Sequence, residues 1–185
     1  MNQIPVIQFQ QDEYGDELLI NIMTLDKIRS HRTYQKVLRH SFYGVMLTME
    51  GEGDIEVDGV SSTATKGTVS VTRPGDVCTI KKDGGLFSLY LVFERDFLLS
   101  FFNNLHFLDS LPFFSHRRNS PFIRLNELMY NRILKIFLDI QFEITHDRNQ
   151  HLLRAQLHET LILLQKQYPI EAPGKMSTDT RIARF

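Results

Sequence analysis

The sequence predicts a mainly β chain that becomes α towards its end: an antiparallel barrel or sandwich first, then a two-helix antiparallel hairpin. Three observations predict it. Turn signals recur at short intervals up to Phe93, the apolar spacing becomes helical after that residue, and two amphipathic stretches then follow with only Asp147-Arg148-Asn149 between them.

Each element has its own signal. Leu18 to Met23 and Phe42 to Met49 are apolar runs, the second rich in the Val, Leu, Tyr and Phe that suit a half-buried sheet. Turns are expected at Gly51-Glu52-Gly53, Asp58-Gly59, Lys66-Gly67, Pro74-Gly75-Asp76 and Asp83-Gly84-Gly85. At Asp58-Gly59 both residues accept the positive φ of a two-residue hairpin. Glu94 to Asn103 and Leu105 to Leu111 read as short helices that cap an open end of the barrel and stop at Pro112. Pro121 to Leu125 is extended, and Asn126 is the expected N-cap of a long helix reaching about Thr145.

That helix carries one apolar stripe through Met129, Ile133, Ile136, Phe137, Ile140 and Ile144, and another through Tyr130, Leu134 and Leu138. A second helix, from about Gln150 to Lys166, places Leu153, Leu157, Leu161 and Leu164 at three- and four-residue spacing. The hairpin is wider in apolar surface than docking on one sheet requires, so these four leucines are expected to pair two copies of the chain. Tyr168-Pro169 ends the second helix, Glu171 to Lys175 reads as a linker, and Ser177-Thr178-Asp179-Thr180 reads as the start of another helix. The expected organisation is a barrel with an N-terminal arm and capping helices over 1–114, a helical hairpin over 115–168, and a linker over 169–185 towards a further domain.

Charge narrows the function classes. Lys and Arg total 21 against 22 Asp and Glu, so this chain lacks the positive field that draws a protein onto phosphates. His116-Arg117-Arg118 is read as a solvated basic spot, and Gly51-Glu52-Gly53, with its acidic neighbours, is no phosphate cradle. The single cysteine, Cys78, cannot close an internal disulfide, and no charged start with a long apolar run opens the chain, so a cytoplasmic setting is expected. The apolar run Leu86 to Phe93 is far shorter than the roughly 20 residues of a membrane helix. Nucleophile elbows, Cys-x-x-Cys pairs, phosphate loops and His-Glu-x-x-His are all missing from the sequence, and no catalytic residue is assigned.

The run His40-Ser41-Phe42-Tyr43-Gly44-Val45-Met46-Leu47-Thr48-Met49-Glu50-Gly51-Glu52-Gly53, then Val57-Asp58-Gly59, Lys66-Gly67-Thr68 and Arg73-Pro74-Gly75-Asp76-Val77-Cys78, resembles the cupin barrel of AraC-type transcription regulators. Leu111-Pro112-Phe113-Phe114 and the hairpin leading to Arg181-Ile182-Ala183-Arg184-Phe185 extend the resemblance over nearly the whole chain. It implies a jelly-roll cupin that binds a small-molecule effector, such as a sugar or an aromatic metabolite. It also implies a homodimer, with DNA touched only through helix-turn-helix units beyond this chain. The positions at which cupin enzymes hold a metal fall on Leu38, His40, Gly44 and Cys78, of which His40 is a good ligand and Cys78 a possible second. A catalytic metal needs about three protein ligands, so no metal or other cofactor is expected. The alternatives are a cupin metalloenzyme, an isomerase or dioxygenase, and a free-standing small-molecule-binding cupin.

Alternation along a strand puts Phe42, Met46 and Thr48 on the face of His40, and Ile80 on the face of Cys78. The resemblance adds Ser88 and Tyr90 on the inner wall. Lys36 precedes the first strand of this barrel, where a basic side chain reaches the mouth, and the arm Ile4 to Tyr14 is expected to fold over it. The expected binding site is therefore Lys36, His40, Phe42, Met46, Thr48, Cys78, Ile80, Ser88 and Tyr90.

Overall fold

A computed structural model of the chain describes residues 4, 6–7, 18–30, 37–99, 104 and 106–169. The strands are β1 (Val6–Ile7), β2 (Ile20–Thr24), β3 (Val37–His40), β4 (Tyr43–Val57), β5 (Val60–Ala64), β6 (Thr68–Thr72), β7 (Val77–Phe93) and β8 (Phe122–Arg124). The helices are α1 (Leu25–Ser30), α2 (Arg95–Leu99), α3 (Phe107–Ser110), α4 (Glu127–Thr145) and α5 (Gln150–Gln167).

The long antiparallel pair β4 and β7 is the backbone of the sheet. One half of it is flanked by β2 and by β6, with β8 beyond β6. The other half is flanked by β3 and β5, with β1 parallel to β3. The inner faces of the two halves meet in one apolar cluster that joins Met46, Tyr90 and Val92 to Ile55, Val57 and Ala64, so the sheet is folded over on itself as a jelly-roll. Its other face, through Val45, Leu47, Val69, Val71, Leu89, Leu91 and Phe93, packs in a second cluster with the helices.

Two expected turns are corrected by this arrangement. Gly51-Glu52-Gly53 lies inside β4 and Asp83-Gly84-Gly85 inside β7, opposite each other where the register shifts. They are the bend of one long ribbon. Gly51 has φ 74°, and a Cβ there would lie 2.0 Å from the carbonyl oxygen of Gly85, so the two backbones approach closely only because a side chain is missing. The hairpin at Asp58-Gly59 forms as expected, with φ of 52° and 81°. The single strand expected from His40 onward is two strands, separated by Ser41 and Phe42.

The helical half follows the sequence closely. The Asn126 side chain accepts from the backbone N–H of Met129 at 2.9 Å, and Asn149 caps α5 by accepting from His151 and Leu152. The first stripe of α4 is core, whereas Leu138 of the second stripe stays exposed. Leu153, Leu157, Leu161 and Leu164 of α5 are each 0% exposed within the chain's own core, which corrects their expected role between copies: they have no surface left for a partner. Of the expected arm, Ile4 is exposed, β1 lies along β3 and the other residues fall outside the described ones, as do Lys36 and nearly all of the expected linker. Among the described residues no helix is long and apolar enough to cross a membrane.

Candidate effector-binding site

A cavity of about 60 Å³ lies between the inner faces of the folded sheet. One ordered water needs roughly 10–15 Å³ on this measure, so the space admits a small organic molecule. Five expected site residues line it: His40, Met46, Cys78, Ile80 and Tyr90. Phe42 is buried one layer back, its ring 5.0 Å from that of His40 and 6.5 Å from that of Tyr90. Thr48 and Ser88 are opposite one another across β4 and β7, buried but not against the cavity.

Leu25, Ile28, Leu38, Ile55, Val57, Ser70, Thr72 and Thr79 also line the cavity and were not expected to. Leu25 and Ile28 come from α1, a six-residue helix with no strong sequence signal, which is tied down by Arg29 to Asp83 at 2.5 Å. Alternation from His40 points to Leu38. It fails for Ile55 and Val57 because the shifts in β4 reverse the parity after Thr48. In β6, Thr68-Val69-Ser70-Val71-Thr72 alternates as a half-solvated strand would, yet all five residues are buried and the polar set faces inward.

The polar groups of the cavity are neutral. Burial pulls the His40 imidazole down to about 4, against a smaller opposing pull from the Asp76 carboxylate. Burial pushes the Cys78 thiol up to about 12 and the Tyr90 phenol up as well. His40 Nδ1 lies 3.8 Å from Cys78 Sγ, and the Tyr90 hydroxyl is 2.9 Å from that of Thr72. Asp76 is turned away from the cavity's needs: its carboxylate accepts from the Arg73 backbone N–H and Nε, each at 3.0 Å, and from Arg118 Nη2 at 2.7 Å. Arg118, expected in solvent, is instead buried on this carboxylate.

The cupin metal positions do not fit a metal. Leu38 carries no donor, and a Cβ at Gly44 would fall 2.2 Å from the Tyr90 hydroxyl and 2.6 Å from Thr72 Oγ1, so the place of a ligating carboxylate is filled by the Tyr90–Thr72 pair. His40 and Cys78 remain, and among the described residues no three of His, Cys, Asp and Glu converge.

A sheet folded round a cavity with apolar walls and a few neutral polar tips defines a small-molecule-binding barrel. The chain belongs to the AraC-like ligand binding domain family, whose model matches residues 28–161. No curated protein matches it. Among solved structures it is similar to the AraC-like transcriptional activator CuxR, at 9% identity over 75% of this chain and 46% of that one, TM-score 0.45. It is also similar to unsaturated fatty acid bound wild-type ToxT from Vibrio cholerae, at 13% identity over 81% and 55%, TM-score 0.44. A predicted oxalate decarboxylase from Thermotoga maritima matches at 21% identity over 31% and 53%, TM-score 0.29. The chain spans about half the length of these structures.

Proposed function

We propose that this chain is the effector-sensing and dimerising part of a transcription regulator, that it binds a small organic molecule in a metal-free barrel, and that it does no chemistry on it. DNA is touched by a separate part of the protein. The cavity between the sheet faces is the observation that carries this reading, together with the family to which the chain belongs. A ligand acts by binding one arrangement of the protein better than another, and so biases how two DNA-binding parts are presented.

The dimer contact is placed on α4. Leu138 and Phe142 are one turn apart and 47% and 57% exposed, beside half-buried Leu134, and make an apolar strip that still faces outward although the His146 ring stacks on Phe142. The test is to fuse the chain to a DNA-binding module that needs dimerisation and to measure operator binding. Binding is expected to be restored by the fusion and lost with Leu138→Glu plus Phe142→Glu. Restored binding that survives both substitutions rules out α4 as the contact. For the cavity, a metabolite fraction that raises Tm with dose should lose that effect in Ile80→Phe, which fills the space.

A further inference from the structure

We infer that the barrel takes an uncharged ligand with an apolar body and a single hydroxyl or carbonyl, seated with that group against the wall formed by His40, Tyr90 and Thr72. The inference rests on the effector-binding reading and narrows it to a ligand class.

Among the described residues, no Lys, Arg, Asp or Glu lines the cavity. The ionised groups behind the cavity wall balance one another, because the Asp76 carboxylate is taken up by Arg73 and Arg118 and Arg73 also faces the Asp58 carboxylate at 4.0 Å. The titratable groups that do face the cavity are His40, Cys78 and Tyr90, and burial holds all three neutral at physiological pH. A carboxylate, phosphate or ammonium entering this space would lose its hydration with no counter-charge among the described lining residues to replace it. Charged metabolites are therefore rejected by desolvation, whatever their shape.

Polar capacity is also small. His40 and Tyr90 are neighbours, with ring centroids 5.9 Å apart, and the Tyr90 and Thr72 hydroxyls already use one of their two protons on each other. On this wall one O–H and the imidazole edge remain, enough for one ligand hydroxyl or carbonyl, and the other polar side chains lining the cavity are those of Ser70, Cys78 and Thr79. Leu25 and Ile28 of α1 and Ile55, Val57 and Ile80 of the sheet offer no hydrogen bond from their side chains. A sugar carries more hydroxyls than these few polar groups can pair and would bury the others against the apolar side chains, so the polyol class is disfavoured on the same surface that accepts an alcohol or ketone.

The test uses matched probes on the chain with its isoleucine δ-methyls labelled for NMR: benzyl alcohol, benzoate and benzylamine; 1-pentanol, pentanoate and pentylamine; and a free pentose. The alcohols are expected to shift the Ile28, Ile55 and Ile80 methyls at concentrations at least about tenfold below those of the acids and amines, with the pentose silent. An acid, an amine or the pentose that moves the same methyls as readily as the alcohols overturns the neutral-ligand class and leaves the effector reading standing. If no probe moves them up to about 20 mM, the effector reading itself falls, and this inference with it. His40→Phe and, separately, Thr72→Val should each weaken the alcohols several-fold, roughly the worth of one hydrogen bond. Unchanged affinity in both variants overturns the seating on this wall.

Discussion

His40 stands at the end of β3, where its backbone N–H donates to the Asp76 carbonyl at 3.4 Å and its carbonyl accepts from the Gly75 N–H at 2.9 Å. The backbone is thus held in place while the ring is left to the cavity. Because burial lowers the ring from its ordinary 6.5 to about 4, the unfolded chain binds a proton between these values that the folded chain refuses. The stability this group contributes is present above pH 6.5 and is lost as pH falls towards 4, by about 3 kcal/mol in all. His40→Phe should flatten the fall of unfolding free energy between pH 6.5 and 4; an unchanged slope would show that other groups carry it. Gly44 is the second residue whose identity matters. Gly44→Ala should cost about 1–3 kcal/mol in denaturant unfolding, since the new methyl strikes the Tyr90 hydroxyl, and Tyr90→Phe in the same background should recover part of that loss. If both backgrounds lose the same amount, the clash is not with that oxygen.

Among the elements, the two helices of the hairpin divide their work. α5 turns Leu153, Leu157, Leu161 and Leu164 into the core, while α4 leaves Leu128, Leu138 and Phe142 at 77%, 47% and 57% exposure. Leu157→Glu should therefore unfold the chain, by about 4 kcal/mol or more, because a carboxylate would be buried unpaired. Leu138→Glu should leave Tm nearly unchanged. Circular dichroism melts of the two variants decide it, and equal melts would mean that the helix faces are assigned the wrong way round. Apolar spacing on α5 was legible in the sequence, but its direction was not: periodicity reports a greasy face without saying whether that face meets the sheet or a second copy. The same holds for β6, where alternation is plain and the polar face is the inner one.

At the scale of the molecule, Asp76 and Tyr168 bind the barrel and the helices into one body. Asp76 joins the turn after β6 to Arg118 in the loop after α3. Two residues on, Ser120 donates its N–H to the Tyr168 hydroxyl at 3.1 Å and accepts from it at 2.9 Å, so the end of α5 is fastened to that loop. Tyr168 also packs its ring on Phe113, within the aromatic set that runs through Phe114 and Phe93 to Tyr43 on the sheet. Arg118→Met should cost about 3 kcal/mol by leaving a buried carboxylate half-paired, and should speed hydrogen exchange over 164–168 along with the barrel. Exchange there that is indifferent to the substitution would separate the two halves.

The amino-acid order alone determined the β-then-α layout, both helix N-caps and the hairpin at Asp58-Gly59, and alternation added Met46 and Ile80 to the inner wall once the resemblance had placed His40 and Cys78 on it, because caps, tight turns and strand alternation are short-range rules that neighbours in the chain enforce. Only the tertiary structure decided that two glycine runs are a bend and not turns, that α1 closes over the cavity, that the α5 leucines are core, and that Arg118 is buried on Asp76. Each of these depends on what a residue meets from a distant part of the chain. Burial and charge pairing are settled by that partner, and local sequence does not contain it.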